Sequence, residues 1–459
     1  MKTINSMIIA LWMMALLSLS ACDNFTEVDL PSSQLTGESV YQDVTTAKAA
    51  LADIYARMRD GGVVSGAQFG GTPLMANYAD DMAFYGGNPD IEQFNKHTLQ
   101  PSNSFLAILW DRTYGELYAI NALLDGVKKS TAITGEDKDR LIGEALFLRA
   151  YLNFYLVNLF GDIPYVISAD YAINTTIGRT PQSEVWQNML NDLIQAETLI
   201  PANYPTAERV RPNKATVTAL LARVYLYMGN YYEAEAHATS VLSNPLYIWD
   251  TNPATAFLKE SPAIIWSAQA GAAGLNTQDG RSYIFSFGPP SKPAMSDELR
   301  NAFEPGDLRR TNWVRAITDG TNFWYQAYKY KRNLSTTPSQ EYTVLFGMSE
   351  LYLIRAEARA MTGNTSGAQQ DLNVIRSRAG LPDTEANTSE TLMAAILRER
   401  RVELFTEQSH RWFDLKRTGN AAAALSALKP GWKSTDLLLP LPEKELLLNN
   451  NLLPQNPGY

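Results

Sequence analysis

Apolar positions recur three and four residues apart along most of this chain. Between Gly143 and Phe160, the side chains Phe147, Tyr151, Tyr155 and Leu159 fall four apart, with Leu146, Ala150 and Phe154 beside them. That spacing lines one face of an α-helix, and Gly161-Asp162-Ile163-Pro164 ends it. The same period predicts helices over 45–59, 105–128, 183–200, 212–228, 231–243, 349–362, 365–379, 389–408 and 421–428.

Two helix pairs repeat. Ala222, Gly229, Asn230 and Ala234 recur as Ala356, Gly363, Asn364 and Ala368, at a constant offset of 134 residues. A small residue, a turn glycine and a second small residue at these distances is the spacing of a tetratricopeptide unit. The alanines let two helices approach closely, and the glycine closes the first helix. The predicted fold class is therefore mostly α, a tetratricopeptide-like scaffold of helical pairs with a large irregular, partly β insertion.

The helical period fades over about 245–345. Gly, Pro, Ser and Asn rise there, and short β-like runs take over, Ala263-Ile264-Ile265-Trp266 and Ser282-Tyr283-Ile284-Phe285-Ser286-Phe287. A hundred residues is too long for a linker, so the insertion is read as functional. It holds Trp249, Trp266, Trp313 and Trp324. A second irregular stretch, Gly61 to Pro101, carries Phe69, Tyr78, Asp80, Asp81, Phe84 and Tyr85.

The N-terminus follows another pattern. Lys2 precedes an apolar run from Met7 to Leu19, then Leu19-Ser20-Ala21-Cys22. A basic start, an apolar stretch too short to span a bilayer and small residues before a cut make a secretory signal. The cysteine after Ser20-Ala21 makes it resemble a bacterial lipoprotein signal, in which Cys22 is acylated and becomes the first mature residue. Residues 1–21 are then the signal peptide and 22–37 a polar lipidated tether. Residues 38–459 form one domain: helical repeats to about 244, the insertion to about 345, and further repeats after it.

Cys22 is the sole cysteine of the 459 residues, so the exported body has no disulfide to rely on. A net charge of −9 argues against nucleic acid and against an anionic membrane surface. His97, His237 and His410 are too scattered to suggest a metal site. No cofactor is implied. His-Glu-x-x-His, Gly-x-Ser-x-Gly and phosphate-loop patterns are absent. The adjacent pair Asp80-Asp81 would point apart in an extended segment and has no marked third partner, so a two-carboxylate glycosidase is not indicated.

The C-terminal quarter carries the most specific motifs. They are Leu397-Arg-Glu-Arg-Arg-Val-Glu-Leu-Phe405, His410-Arg-Trp-Phe-Asp-Leu-Lys-Arg-Thr-Gly419, Leu437-Leu-Leu-Pro-Leu-Pro442 and Asn450-Asn-Leu-Leu-Pro-Gln-Asn-Pro-Gly-Tyr459. Together they resemble the SusD/RagB family of outer-membrane nutrient-binding lipoproteins of Bacteroidetes. Gly143-Glu-Ala-Leu-Phe-Leu-Arg-Ala-Tyr151 with Leu159-Phe-Gly-Asp-Ile-Pro164 is similar to its N-terminal signature. Trp110, Tyr114, Asn121 and Gly306-Asp307-Leu-Arg-Arg310 fit as well. One position departs. Gly347 stands where the family commonly has Arg, so an ion pair made there is lost or supplied elsewhere. The charges of 398–403 and 411–414 are read as helix-packing ion pairs, which identify the fold and not the site.

The resemblance implies a binding protein, not an enzyme. It would sit on the outer face of the outer membrane and close over a SusC-like TonB-dependent transporter, delivering an oligosaccharide or polysaccharide for import. Peptide-binding members and a purely structural envelope lipoprotein are the alternatives. A sugar presents an apolar C–H face and an edge of hydroxyls, which suits aromatic rings beside polar side chains. The two irregular stretches supply both. Candidate stacking residues are Tyr78, Phe84, Tyr85, Trp266, Trp313 and Trp324, with Asp81 or Arg281 for hydroxyls. The two stretches are expected to pack together on one side of the helical scaffold.

Overall fold

A computed structural model describes residues 40–459, and Tyr41–Tyr459 forms one compact body. The lipidation signal and Cys22 lie outside the described residues. The element order opens with α1 (Val44–Asp60), α2 (Gly71–Tyr78), β1 (Met82–Ala83), α3 (Pro89–Lys96), α4 (Ser104–Lys129) and α5 (Gly135–Phe160). It continues with α6 (Gln182–Leu199), α7 (Lys214–Tyr227) and α8 (Tyr231–Leu242). The insertion holds β2 (Ile264–Ala268), β3 (Ala294–Met295), β4 (Val314–Thr318), β5 (Phe323–Ala327) and β6 (Thr343–Gly347), with short helices between. The last large helices are α9 (Met348–Met361), α10 (Thr365–Arg378), α11 (Ser389–Leu404) and α12 (His410–Arg417).

The helices stack as a continuous row. α1 packs on α4, α4 on α5, α5 on α6, α7 on α8, α8 on α9, and α9 on both α10 and α11. α5 is the centre of this row. Its residues from Gly143 to Phe160 are all buried, because helices and the insertion cover it on every side. A helix so enclosed needs apolar residues all round, which is why its stripe is wider than one face.

The repeated pairs are α7–α8 and α9–α10. Ala222, Ala234, Ala356 and Ala368 have no exposed surface, as close helix approach requires. Gly229 and Gly363 close their first helices at φ +75° and +85°, where a Cβ would be strained. Asn230 and Asn364 then cap the second helices, accepting from the backbone N–H of Glu233 and Gly367.

Two expectations need correction. Residues 61–101 are not irregular throughout, since α2 and α3 occupy them. Asn88 caps α3 and Pro89 opens it, so the short helix comes from cap chemistry more than from periodicity. The helix expected over 389–408 stops at Leu404. Thr406, Gln408 and Ser409 take left-handed backbone angles there, and α12 begins at His410.

The signature charges are buried ion pairs. Arg309 meets Asp307, Glu399 and Glu403, Arg400 meets Asp414, and Arg417 meets Asp414 and Glu357. Glu350, three residues after Gly347, is paired from another helix. Arg223 reaches across from α7 to Glu350 with contacts of 2.6 and 2.7 Å, and its guanidinium lies 4.0 Å from the Phe346 ring centre.

Candidate functional site

The two irregular segments meet through their backbones. β1 pairs antiparallel with β3, Met82 opposite Met295 and Ala83 opposite Ala294. The Ser296 N–H donates to the Asp81 carbonyl at 2.9 Å, and its hydroxyl donates to the Asp80 carbonyl at 2.6 Å. Ser282 donates to the Gly66 carbonyl at 2.7 Å. β3 also lies beside β5. Tyr85, two residues past β1, is thereby brought to the edge of the insertion.

The insertion exposes two further rings of its own. β4 and β5 form a hairpin with Thr318 opposite Phe323 and Ile317 opposite Trp324. Asp319 shapes its turn by accepting from the N–H groups of Thr321 and Asn322. Alternation along β5 then turns Phe323 outward, 62% exposed, and Trp324 inward. Phe287 lies in the loop leading to β3 and is 75% exposed, while Tyr85 is 51% exposed. Phe285 anchors the loop, its N–H donating to Gln326 Oε1 at 2.7 Å. Gly288 rests on the six-membered ring of Trp324, where any β-carbon would collide. Lys292 donates to the carbonyls of Arg281 and Ile284 and closes the loop's base.

Polar groups stand near Tyr85. Arg300 pairs with Asp297 at 3.0 Å and lies 5.0 Å from the centre of the Tyr325 ring. Tyr85 is held above its ordinary pKa by partial burial first, then by the Asp297 carboxylate, so its hydroxyl stays a neutral donor and acceptor. Exposed aromatic faces next to a guanidinium, a carboxylate and a phenol can hold a flat apolar surface while exchanging hydrogen bonds with its edge.

The floor of this region is electrostatic. Arg411 grips Asp80 through two bonds of 2.7 and 2.8 Å, and Arg401 meets Asp81 at 3.1 Å. Burial opposes ionisation of Asp80, but the guanidinium groups of Arg411 and Arg401 overcome it and lower its pKa. Asp81 goes the other way. Full burial raises it, Arg401 offsets this only in part, and the neighbouring Asp80 adds to the rise.

The sequence-derived site residues divide accordingly. Tyr85 is at the surface, and Phe84 and Arg281 are half-buried. Tyr78, Trp266 and Trp313 are corrections, because each is in a core with no open ring face. Tyr78 donates to the Asp436 carbonyl at 2.9 Å and packs edge-on to Trp412. Trp266 sits between Phe147, Tyr151 and Phe346. Trp313 donates to the Pro253 carbonyl at 2.7 Å and packs on Phe257. Asp81 is fully buried and committed to Arg401, so it is not free to take hydroxyls. Trp324 is largely covered by the Gly288 loop and supports the edge from beneath.

Phe287 and Phe323 were not among the expected residues. Their signals were present. Phe287 directly precedes Gly288-Pro289-Pro290, and Phe323 follows the turn sequence Asp319-Gly320 at the outward register of a short strand. Among the described residues no cluster of three His, Cys, Asp or Glu side chains could hold a metal ion, and no helix is long and apolar enough to cross a membrane.

Known proteins share this helical-repeat scaffold and its irregular insertion. A family profile described as starch-binding and associating with the outer membrane matches residues 25–226, and the SusD family profile matches residues 276–459. SusD-like protein P2 of Formosa agariphila is 27% identical over 97% of this chain and 98% of its own length. A SusD-superfamily protein from Bacteroides vulgatus superposes with a TM-score of 0.79 at 20% identity, covering 91% of this chain and all of that one. A laminarin-binding SusD-like protein gives a TM-score of 0.75 at 25% identity, covering 90% and 99%. The chain belongs to the SusD/RagB family.

Proposed function

We propose that this protein is a lipid-anchored receptor on the outer face of the outer membrane. It binds an oligosaccharide or polysaccharide without chemistry and passes it to a SusC-like TonB-dependent transporter. The observation that carries the binding reading is the exposure of three rings, Tyr85, Phe287 and Phe323, on the two segments that β1 and β3 pair together, with Asp297 and Arg300 near Tyr85. The likeness to a laminarin-binding relative at 25% identity supports a glycan ligand. Phe84 precedes Tyr85 in the chain, Arg281 lies at the base of the Phe287 loop, where its carbonyl accepts from Lys292, and Trp324 underlies that loop.

Stacking on exposed rings contributes about 0.5–1.5 kcal/mol per ring beyond area burial. Three rings and a few hydrogen bonds that compete with water give roughly micromolar to millimolar affinity. That range suits capture followed by release. Calorimetry with laminarin oligosaccharides, followed by a wider glycan panel, tests the reading. Binding to a glycan, lost when the three rings are removed, supports it. Binding of peptides and of no glycan contradicts it.

Anchoring is a separate part of the proposal. Each buried CH₂ contributes about 0.8 kcal/mol, so more than one acyl chain on Cys22 gives stable attachment. Cys22→Ala should shift the protein from the membrane to the soluble fraction. Protease added to intact cells should cleave the wild type, and full protection would refute the outward placement.

A further inference from the structure

The loop that carries Phe287 has cations at its base, although the chain as a whole has a net charge of −9. Lys292 closes that base by donating to the carbonyls of Arg281 and Ile284. Arg332 comes alongside through its backbone, since a β-carbon on Gly280 would stand 2.6 Å from the Arg332 carbonyl. On the hairpin side, the Phe285 N–H donates to Gln326, and Arg315 stands opposite Gln326 across β4 and β5. Arg315 and Lys331 share one ring, 5.4 and 5.7 Å from the centre of Tyr328. Backbone, register and ring contacts thus bring Arg281, Lys292, Arg315, Lys331 and Arg332 to one loop.

Among the described residues none of these five cations makes an ion pair. Arg332 Nε donates to Gln340 Oε1 at 2.8 Å, and Lys331 Nζ reaches the Lys329 carbonyl at 3.5 Å. The guanidinium of Arg281 has no partner. The carboxylates nearest in sequence are occupied. Glu341 accepts from the backbone N–H groups of Lys331 and Arg332 at 2.8 and 2.9 Å. Asp279 is buried and accepts from the hydroxyls of Thr277 and Thr343 at 2.8 and 2.6 Å. Burial pushes Lys292 below its ordinary range. It lowers Lys331 too, where Glu341 offsets the effect in part and Arg332 adds to it. Partly buried cations short of counter-charge are stabilised when an anion arrives.

The place of these cations selects the anion's carrier. They stand on and around the loop that exposes Phe287, so a saccharide seated on that ring presents its substituents to them. A guanidinium offers a planar fork that matches an oxyanion through two bonds. We infer that the bound glycan is acidic, its carboxylate or sulfate groups received by Arg281, Arg315 and Arg332 while Phe287 takes an apolar ring face. The inference rests on the glycan-binding reading above and names the class of glycan.

Calorimetry on the full lipoprotein in detergent compares three probes of like length. Laminarin oligosaccharide is neutral, oligogalacturonate carries carboxylates, and a carrageenan oligosaccharide carries sulfates. At least one acidic probe should bind about tenfold or more tightly than laminarin, and high salt should remove most of that advantage. The carboxylate and sulfate arms tell the two sources of charge apart. Arg281→Gln combined with Arg315→Gln should weaken the acidic probe about tenfold and leave laminarin binding and melting temperature unchanged. Lys214→Gln, at an exposed position on α7, removes the same kind of charge elsewhere and should change neither affinity. Unchanged acidic binding in the double variant would overturn the inference. Laminarin bound as tightly as both acidic probes would also overturn it and leave the glycan reading standing. If neither acidic probe binds, the inference fails, and the glycan reading fails with it only if the neutral panel binds nothing either.

Discussion

Asp80 and Arg411 meet as a two-point ion pair, Nε to Oδ1 at 2.7 Å and Nη2 to Oδ2 at 2.8 Å, joining the segment before β1 to α12. With Arg401 on Asp81, this pair fixes the strand that carries Tyr85. The C-terminal signature thus ties the segment before β1 to α11 and α12 through buried ion pairs.

Removing Asp80 takes a shared buried carboxylate from both Arg411 and Arg401, and removing Arg411 leaves Asp80 with Arg401 alone. Asp80→Ala or Arg411→Ala should destabilise the protein by about 3–5 kcal/mol in urea unfolding. A loss below 1 kcal/mol would show that the pair is not structural.

Gly288 and Trp324 provide a more local test. Gly288→Ala forces the loop or the indole to move, an overpacking that costs about 1–3 kcal/mol. Glycan affinity should fall as well, because Phe287 is carried on the same loop. Unchanged affinity would separate Phe287 from the site.

His410 and Glu407 face one small buried cavity and have opposite pH signatures. Burial lowers His410 to about 3 despite the nearby Glu350, and burial raises Glu407 to about 7 despite Lys329. The stability due to His410 is complete above pH 6.5 and is lost as pH falls toward 3. Glu407 weakens the fold as pH rises from 4.5 to 7. Relative to wild type, His410→Asn should gain about 1.4 kcal/mol per pH unit on acidification from 6.5 to 4.5. Glu407→Gln should lose a similar amount over the same range. Urea unfolding at pH 4.5, 5.5 and 6.5 measures both, and slopes of the same sign in the two variants would refute the assignment.

Trp313 is a core residue and should behave as one. Trp313→Ala should lower stability by about 3–5 kcal/mol. The fraction that remains folded should still bind glycan. Selective loss of binding with stability intact would return Trp313 to the site.

Much of the fold was legible in the sequence because its elements are long and periodic. α4, α5 and α7 to α10 fall within a few residues of their predicted bounds, except that α5 begins earlier, at Gly135. There the acidic first turn, Glu136 and Asp137, and not an apolar stripe, marks the start. The repeat offset correctly paired α7–α8 with α9–α10. The site was legible only as two segments. Tryptophan is the largest side chain and suggested stacking at Trp266 and Trp313, yet a fold without disulfides uses such rings to fill its core. Whether a ring faces inward depends on strand register, and the two-residue period of β5 turned Trp324 in and Phe323 out. Tyr78 and Tyr85 lie seven residues apart in one segment, but α2 buries the first and ends before the second.

The central claim is that the open rings at the edge of the insertion bind the glycan. Calorimetric titration of wild type, Tyr85→Ala, Phe287→Ala and Phe323→Ala, with melting temperature measured on the same samples, tests it most directly. Each substitution should weaken binding about threefold to tenfold, and the triple variant should abolish it, with melting temperatures within a few degrees of wild type. A triple variant that binds as tightly as wild type would contradict the claim.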